Sequence, residues 1–163
     1  MLQTKMRRTP YIIFLLLIIG LSSCTDSVFY DKSYSFQGNK WNQEVKPDFK
    51  VQIEDTSQVY DFMITFRHTT DYPYSNCWIY LISETPNKIK AREPFEFKIA
   101  QADGSWIGNK SGTIVENVLH FRKRKFPMKG TYIFKLEQGV IQEDLEEVLD
   151  IGLRIEASNE KDL

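Results

Sequence analysis

Histidine and cysteine, the side chains that most often carry metal or nucleophile chemistry, are nearly absent: two of each in 163 residues. His68 and His120 both fall in strand-like runs, and neither has a His, Cys or Asp partner at a metal-ligand spacing. The Gly-x-Ser-x-Gly turn that exposes a nucleophilic serine does not occur. Asp103-Gly104 reads as a turn, and adjacent acids such as Glu146-Glu147 as solvated surface. The expectation is a protein without catalytic residues, metal ligands or cofactor. An excess of charge of one sign is also missing. With 21 basic and 22 acidic side chains the net charge is −1, which gives no global attraction to nucleic acid, and no nucleic-acid module is recognisable. Nor is there a run long enough to cross a bilayer. The apolar stretch Tyr11 to Ile19 is about half the ~20 residues that a helix needs to span a ~30 Å core. There is no internal repeat and no linker, so one domain is expected.

What the N-terminus does have is the order of a secretory signal. Lys5, Arg7 and Arg8 precede the apolar run, and Gly20 and small residues follow it. The last four, Leu21-Ser22-Ser23-Cys24, resemble the lipobox of bacterial lipoproteins, in which the cysteine is acylated and becomes the new N-terminus. A chance cysteine behind an apolar run is the plain alternative. Residues 1–23 are thus read as a lipoprotein signal peptide, 24–30 as a lipidated tether, 31–157 as the folded domain and 158–163 as a polar tail. Cleavage before Cys24 removes three positive side chains and takes the formal charge from −1 to −4. The remaining ~140 residues can bury roughly two thirds of their unfolded surface. Such a lipoprotein typically carries three acyl chains. One chain binds a membrane only reversibly, so three hold it there for good. If Cys24 is acylated, Cys77 has no partner within the chain. Its setting in Cys77-Trp78-Ile79-Tyr80-Leu81-Ile82 predicts a buried, unreactive thiol.

Periodicity points to strands. Phe49, Val51 and Ile53 alternate with polar residues, as do Tyr60, Phe62, Ile64 and Phe66, and then Phe95, Phe97 and Ile99. The first two of these runs are expected to form a hairpin across Asp55-Thr56-Ser57. The run from Cys77 to Ser83 is apolar on both faces, which predicts a central strand, covered on both sides or meeting a partner on its outer face. Ala102 to Gly112 reads as a long Gly-rich connection around Trp106-Ile107, followed by strands Thr113–Val115 and Val118–Phe126 on either side of Glu116-Asn117. Gln142 to Val148 alone has helix-like composition, too short to stand unsupported. Leu149, Ile151, Leu153 and Ile155 alternate in the last and clearest strand. About eight short strands with turn signals every ten or so residues predict an all-β, single-domain antiparallel β-sandwich.

Four stretches in fixed order carry a family resemblance: Asp71-Tyr72-Pro73-Tyr74-Ser75-Asn76, then Asp103-Gly104-Ser105-Trp106-Ile107-Gly108, then Phe126-Pro127 leading to Gly130-Thr131-Tyr132, and finally Asp150-Ile151-Gly152-Leu153-Arg154-Ile155-Glu156. With the lipobox ahead of them, they resemble the gliding-motility lipoprotein H (GldH) family. The resemblance implies an accessory lipoprotein of the cell envelope with no enzymatic activity. Its partners would be the membrane, through N-terminal acyl chains, and other envelope proteins of a gliding or allied secretion apparatus. Glu143 to Val148 is more acidic than the family pattern at that point.

Two sets of residues remain as candidate contacts. Tyr72, Tyr74 and Trp106 sit in loops, where large aromatic side chains either cap the end of a sandwich or wait for a partner. A platform for sugar rings is a further use of such faces. Arg122, Lys123, Arg124 and Lys125 form the basic run, either an edge strand guarded by charge or a cationic patch for anionic lipid headgroups or polymers. The expected function is a non-enzymatic scaffold on a membrane facing the periplasm. The outer membrane is favoured because Thr25, not Asp, follows Cys24 and no surface-export run is evident. The alternative is a glycan- or lipid-binding module of the envelope.

Overall fold

The structure is a computed structural model, and it describes residues 28–158. The signal segment, Cys24 and nearly all of the polar tail lie outside the described residues. Eleven strands follow one another: β1 (Val28–Ser35), β2 (Lys40–Asn42), β3 (Asp48–Ile53), β4 (Tyr60–Thr69), β5 (Asn76–Glu84), β6 (Lys90–Lys98), β7 (Asn109–Ser111), β8 (Ile114–Arg124), β9 (Gly130–Gln138), β10 (Asp144–Glu146) and β11 (Val148–Ala157). One sheet has the order β1-β11-β4-β8-β7, the other β3-β9-β5-β6, and β10 pairs with β2 in a separate ribbon. All pairings are antiparallel. The all-β sandwich expected from the periodicity is present. Three of its strands, β2, β7 and β10, are only three residues long and carry too little alternation to be read in advance.

The period-two runs became strands because each buries one face. Phe49, Val51 and Ile53 of β3 face inward, as do Ile64 and Phe66 of β4, Tyr132, Phe134 and Leu136 of β9, and Ile151, Leu153 and Ile155 of β11. Each such side chain stabilises the fold by about 1.5–3 kcal/mol relative to exposure. Gly152, in the middle of β11, has no room for more. A Cβ there would stand 2.5 Å from Thr65 Oγ1 and 3.2 Å from Lys32 O.

Three expectations are corrected. The runs at 49–53 and 60–66 do not form a hairpin: β3 pairs with β9 in one sheet, while β4 lies between β11 and β8 in the other. The chain crosses from sheet to sheet there, so the two apolar faces oppose each other across the core instead of lying side by side. Glu116-Asn117 does not separate two strands, because β8 runs through it unbroken. Gln142 to Val148 is not helical. Leu145 of β10 is buried opposite Trp41 of β2, and Glu147 has a left-handed φ of 65°, which ends that ribbon before β11. The Gly-rich connection also contains β7, which pairs back onto the start of β8.

β5 is internal to its sheet, between β9 and β6. Cys77 and Ile79 point into the core, whereas Trp78 is 43% exposed. The Tyr80 ring on the same outer face is covered by the Arg92 guanidinium, 3.3 Å from its centroid.

Candidate functional site

Strand direction gives the sandwich two distinct ends. Val28 pairs with Glu156, Glu156 with Asp61, and Tyr60 with Arg124. The first described residue therefore lies at the same end as the basic run, here the proximal end. The ten residues of β4, at ~3.4 Å each, place the other end about 30 Å away. Tyr72, Tyr74 and Trp106 are all at that distal end, in the loops after β4 and before β7.

The basic run finishes β8 and enters the loop to β9. Between Tyr60 and Phe62 the pairing skips from Arg124 to Phe121, a bulge in which Lys123 takes a left-handed φ of 55°. Its backbone N–H donates to Asp61 Oδ1 at 2.7 Å. β7 covers β8 only from Ile114 to Glu116, so the rest of β8 has an open edge among the described residues. Bulge and charge together blunt that edge against pairing with another chain. Arg122, Lys123, Arg124 and Lys125 are all exposed, and the ion pairs of the described residues include none of them. Beneath them Phe126 is buried, packing on Tyr60, Phe62 and Tyr132 with centroids 4.6–5.4 Å away.

At the distal end the loops converge on His68, whose side chain is fully buried. Its ring lies 4.9 Å from Tyr72 and 5.1 Å from Trp106, and Tyr72 lies 5.6 Å from Tyr74. The His68 nitrogens face Thr69 O at 2.7 Å and Asn117 Oδ1 at 3.1 Å. Burial holds the imidazole below its ordinary pKa against those two acceptors, which pull the other way. Asn117, buried in β8, also donates through Nδ2 to Ile107 O at 2.5 Å, tying the Trp106 loop to the sheet. Gly108 makes that loop possible. It has φ +106°, and a Cβ there would sit 2.2 Å from Glu116 O, so any side chain would push the loop away.

Of the three aromatic candidates, Tyr72 is buried, and its hydroxyl donates to Asn76 O at 3.2 Å. Trp106 is half-buried against the core, and Tyr74 is exposed. Tyr72 thus supports the surface that Tyr74 presents. Sequence reasoning named these three but missed His68 and Asn117 beneath them, which carry no motif and meet only through folding. Trp78, Ile114 and Ile141, also exposed, belong to the distal half.

Cys77 lies under Tyr72, and burial pushes its thiol up to about 12. At pH 8 only about one molecule in ten thousand would hold the nucleophilic thiolate. In a chain carrying Cys24→Ser, iodoacetamide at pH 8 is expected to modify Cys77 only after denaturation, read by intact mass. Native-state alkylation at the rate of an open thiol would contradict this burial.

On the outer face of the five-stranded sheet, a depression of about 430 Å3 holds charges that answer one another. Arg67 grips the buried Asp150 with two parallel bonds, Nε to Oδ1 at 2.9 Å and Nη2 to Oδ2 at 2.6 Å, and Arg154 bridges Glu156 and Asp31. Among the described residues, no group of three or more His, Cys, Asp or Glu side chains is placed to hold a metal ion.

A family model described as "GldH lipoprotein" matches residues 28–155. The chain is 28% identical over 155 residues to the "Gliding motility lipoprotein GldH homolog" of Christiangramia forsetii, covering 90% of this chain and 94% of that one. It is 29% identical over 151 residues to the "Gliding motility lipoprotein GldH" of Flavobacterium johnsoniae, covering 88% and 94%. Among solved structures, a "Family 16 Carbohydrate Binding Module-2" aligns over 74% of this chain and 72% of its own, at 7% identity and a TM-score of 0.26, too low for a shared architecture to be read from it.

Proposed function

This chain belongs to the GldH lipoprotein family, and from that premise we propose that it is a non-enzymatic scaffold of the gliding-motility machinery, or of an allied secretion apparatus. Acyl chains on Cys24 hold it on a membrane facing the periplasm, with the periplasmic face of the outer membrane as the proposed address. Cys24 precedes Val28 by four residues, at most ~14 Å of extended chain, so the proximal end rests against the bilayer. The observation that carries this reading is the placement of the basic run and the aromatic loops at opposite ends of one sandwich. The positive charges meet the anionic surface, at ~1 kcal/mol each near it. The aromatic end is held about 30 Å out, where tethering gives it a high effective concentration toward other envelope proteins.

The contact surface at the distal end is centred on Tyr74, with Trp106 beside it and Tyr72 beneath. A photo-crosslinking residue in place of Tyr74, in the native lipoprotein, should yield adducts with envelope proteins in living cells. The same residue in place of Lys123 should yield lipid adducts and few protein adducts. The reading is overturned if position 74 gives no protein adduct while the protein is anchored and folded.

A further inference from the structure

The two sheets do not close fully at the proximal end. Between edge strands β8 and β6 an opening leads into a cleft of about 310 Å3, at the small end of the ~300–1,000 Å3 range of small-molecule sites. Its walls are apolar: Ile64 and Leu153 line it from the five-stranded sheet, and Phe95 and Phe121 from the two edges. The rings of Phe95 and Phe121 meet edge to face with centroids 4.8 Å apart. Arg124 and Lys125 line the same cleft, with one carboxylate, Glu93. An apolar slot carrying two exposed cations complements an alkyl chain ending in an anionic group.

We propose that this cleft takes one acyl chain of an anionic membrane lipid, with Arg124 and Lys125 against its phosphate. The slot buries part of the chain while the two cations hold the phosphate, and apolar burial and ion contact together make a reversible complex. The lipid's source is the bilayer that the proximal end faces. That source rests on the proposed anchoring at Cys24; the chemistry of the cleft itself does not depend on what the distal end binds.

The test uses the mature chain with Cys24→Ser and lysophosphatidylglycerol below its micelle concentration, displacing the fluorescent fatty acid cis-parinaric acid. Saturable displacement is expected, with lysophosphatidylcholine far weaker. Reversing both cations (Arg124→Glu with Lys125→Glu) should weaken binding at least thirtyfold, roughly fivefold for each attraction lost near an anionic group and more for the repulsion gained. Filling the slot with Ser83→Trp should abolish binding with the circular dichroism unchanged. Lys50→Glu is the control for the change of charge, on the exposed face of β3 and outside the cleft's lining; binding should hold to within about threefold. Absence of saturable binding, equal binding of the neutral lysolipid, or indifference to both the charge reversal and the filled slot would overturn the proposal. It would also be overturned if the Cys24→Ser chain binds the probe but the acylated protein does not, since the cleft would then hold the protein's own acyl chain. A dimer that the lysolipid fails to dissociate would overturn it in favour of a second copy.

Discussion

A chain with Cys24→Ser will leave the membrane fraction. On the proposed anchoring, several acyl chains on Cys24 would make attachment effectively permanent, whereas a single chain gives only ~10⁴ M⁻¹ of membrane affinity. Without any acyl chain the four cations of the basic run remain, at ~1 kcal/mol each near an anionic surface, and salt screens that attraction with a Debye length of ~8 Å at physiological ionic strength. Fractionation in 0.5 M salt should therefore recover the wild-type protein with membranes and the variant in the soluble pool. Because the substitution falls ahead of β1, which begins at Val28, the soluble variant should melt as the wild-type domain does. A Cys24→Ser protein that still pellets with membranes in high salt would remove the anchor from the reading and leave the basic run or a partner to explain attachment.

Phe66→Ala is expected to cost about 3–5 kcal/mol, a large part of the ~5–15 kcal/mol by which domains of this kind are stable. Phe66 is fully buried in β4, the strand that lies between β11 and β8. Its ring meets Phe97 of the opposite sheet at 5.4 Å, Tyr72 at 5.8 Å and His68 at 5.7 Å. Truncation opens a cavity just where the two sheets and the distal loops touch. Phe66→Leu, which keeps most of the volume, should cost well under half as much. Urea denaturation of the two variants measures the difference. A loss below about 1 kcal/mol for the alanine would mean that the core can collapse around the site.

What could be read from the sequence, and what could not, divides along a physical line. Alternation reports which face of a strand is buried, so Phe49, Val51 and Ile53, and Ile151, Leu153 and Ile155, were placed correctly. It does not report which strand lies alongside, and for that reason 49–53 and 60–66 read as a hairpin although they belong to different sheets. Gln142 to Val148 misleads because Gln, Glu and Leu favour helices in isolation, whereas a single buried contact, Leu145 against Trp41, sets the local structure. In the sequence Asn117 reads only as part of a break between two strands. Its amide is satisfied by Ile107 and His68, partners ten and forty-nine residues away, and no local window contains that information. The aromatic candidates were visible as loop residues, but only the fold shows that Tyr72 is buried while Tyr74 is not, and that they stand at the end away from Arg122 to Lys125.

The pairing of β1 with β11 sets how the molecule responds to mechanical load. β1 runs from Val28 at the proximal end toward Ser35, with seven residue pairs joining it to β11. A pull on its N-terminus, opposed by a grip on the distal loops, slides one strand along the other, and the ladder bonds lie across that direction. They are strained together and not broken in turn like the teeth of a zipper. Tugging the first and last strands apart at the proximal end would open the same seam one rung at a time. The seam between the first and last strands is therefore strong along the long axis of the sandwich and weak to peeling.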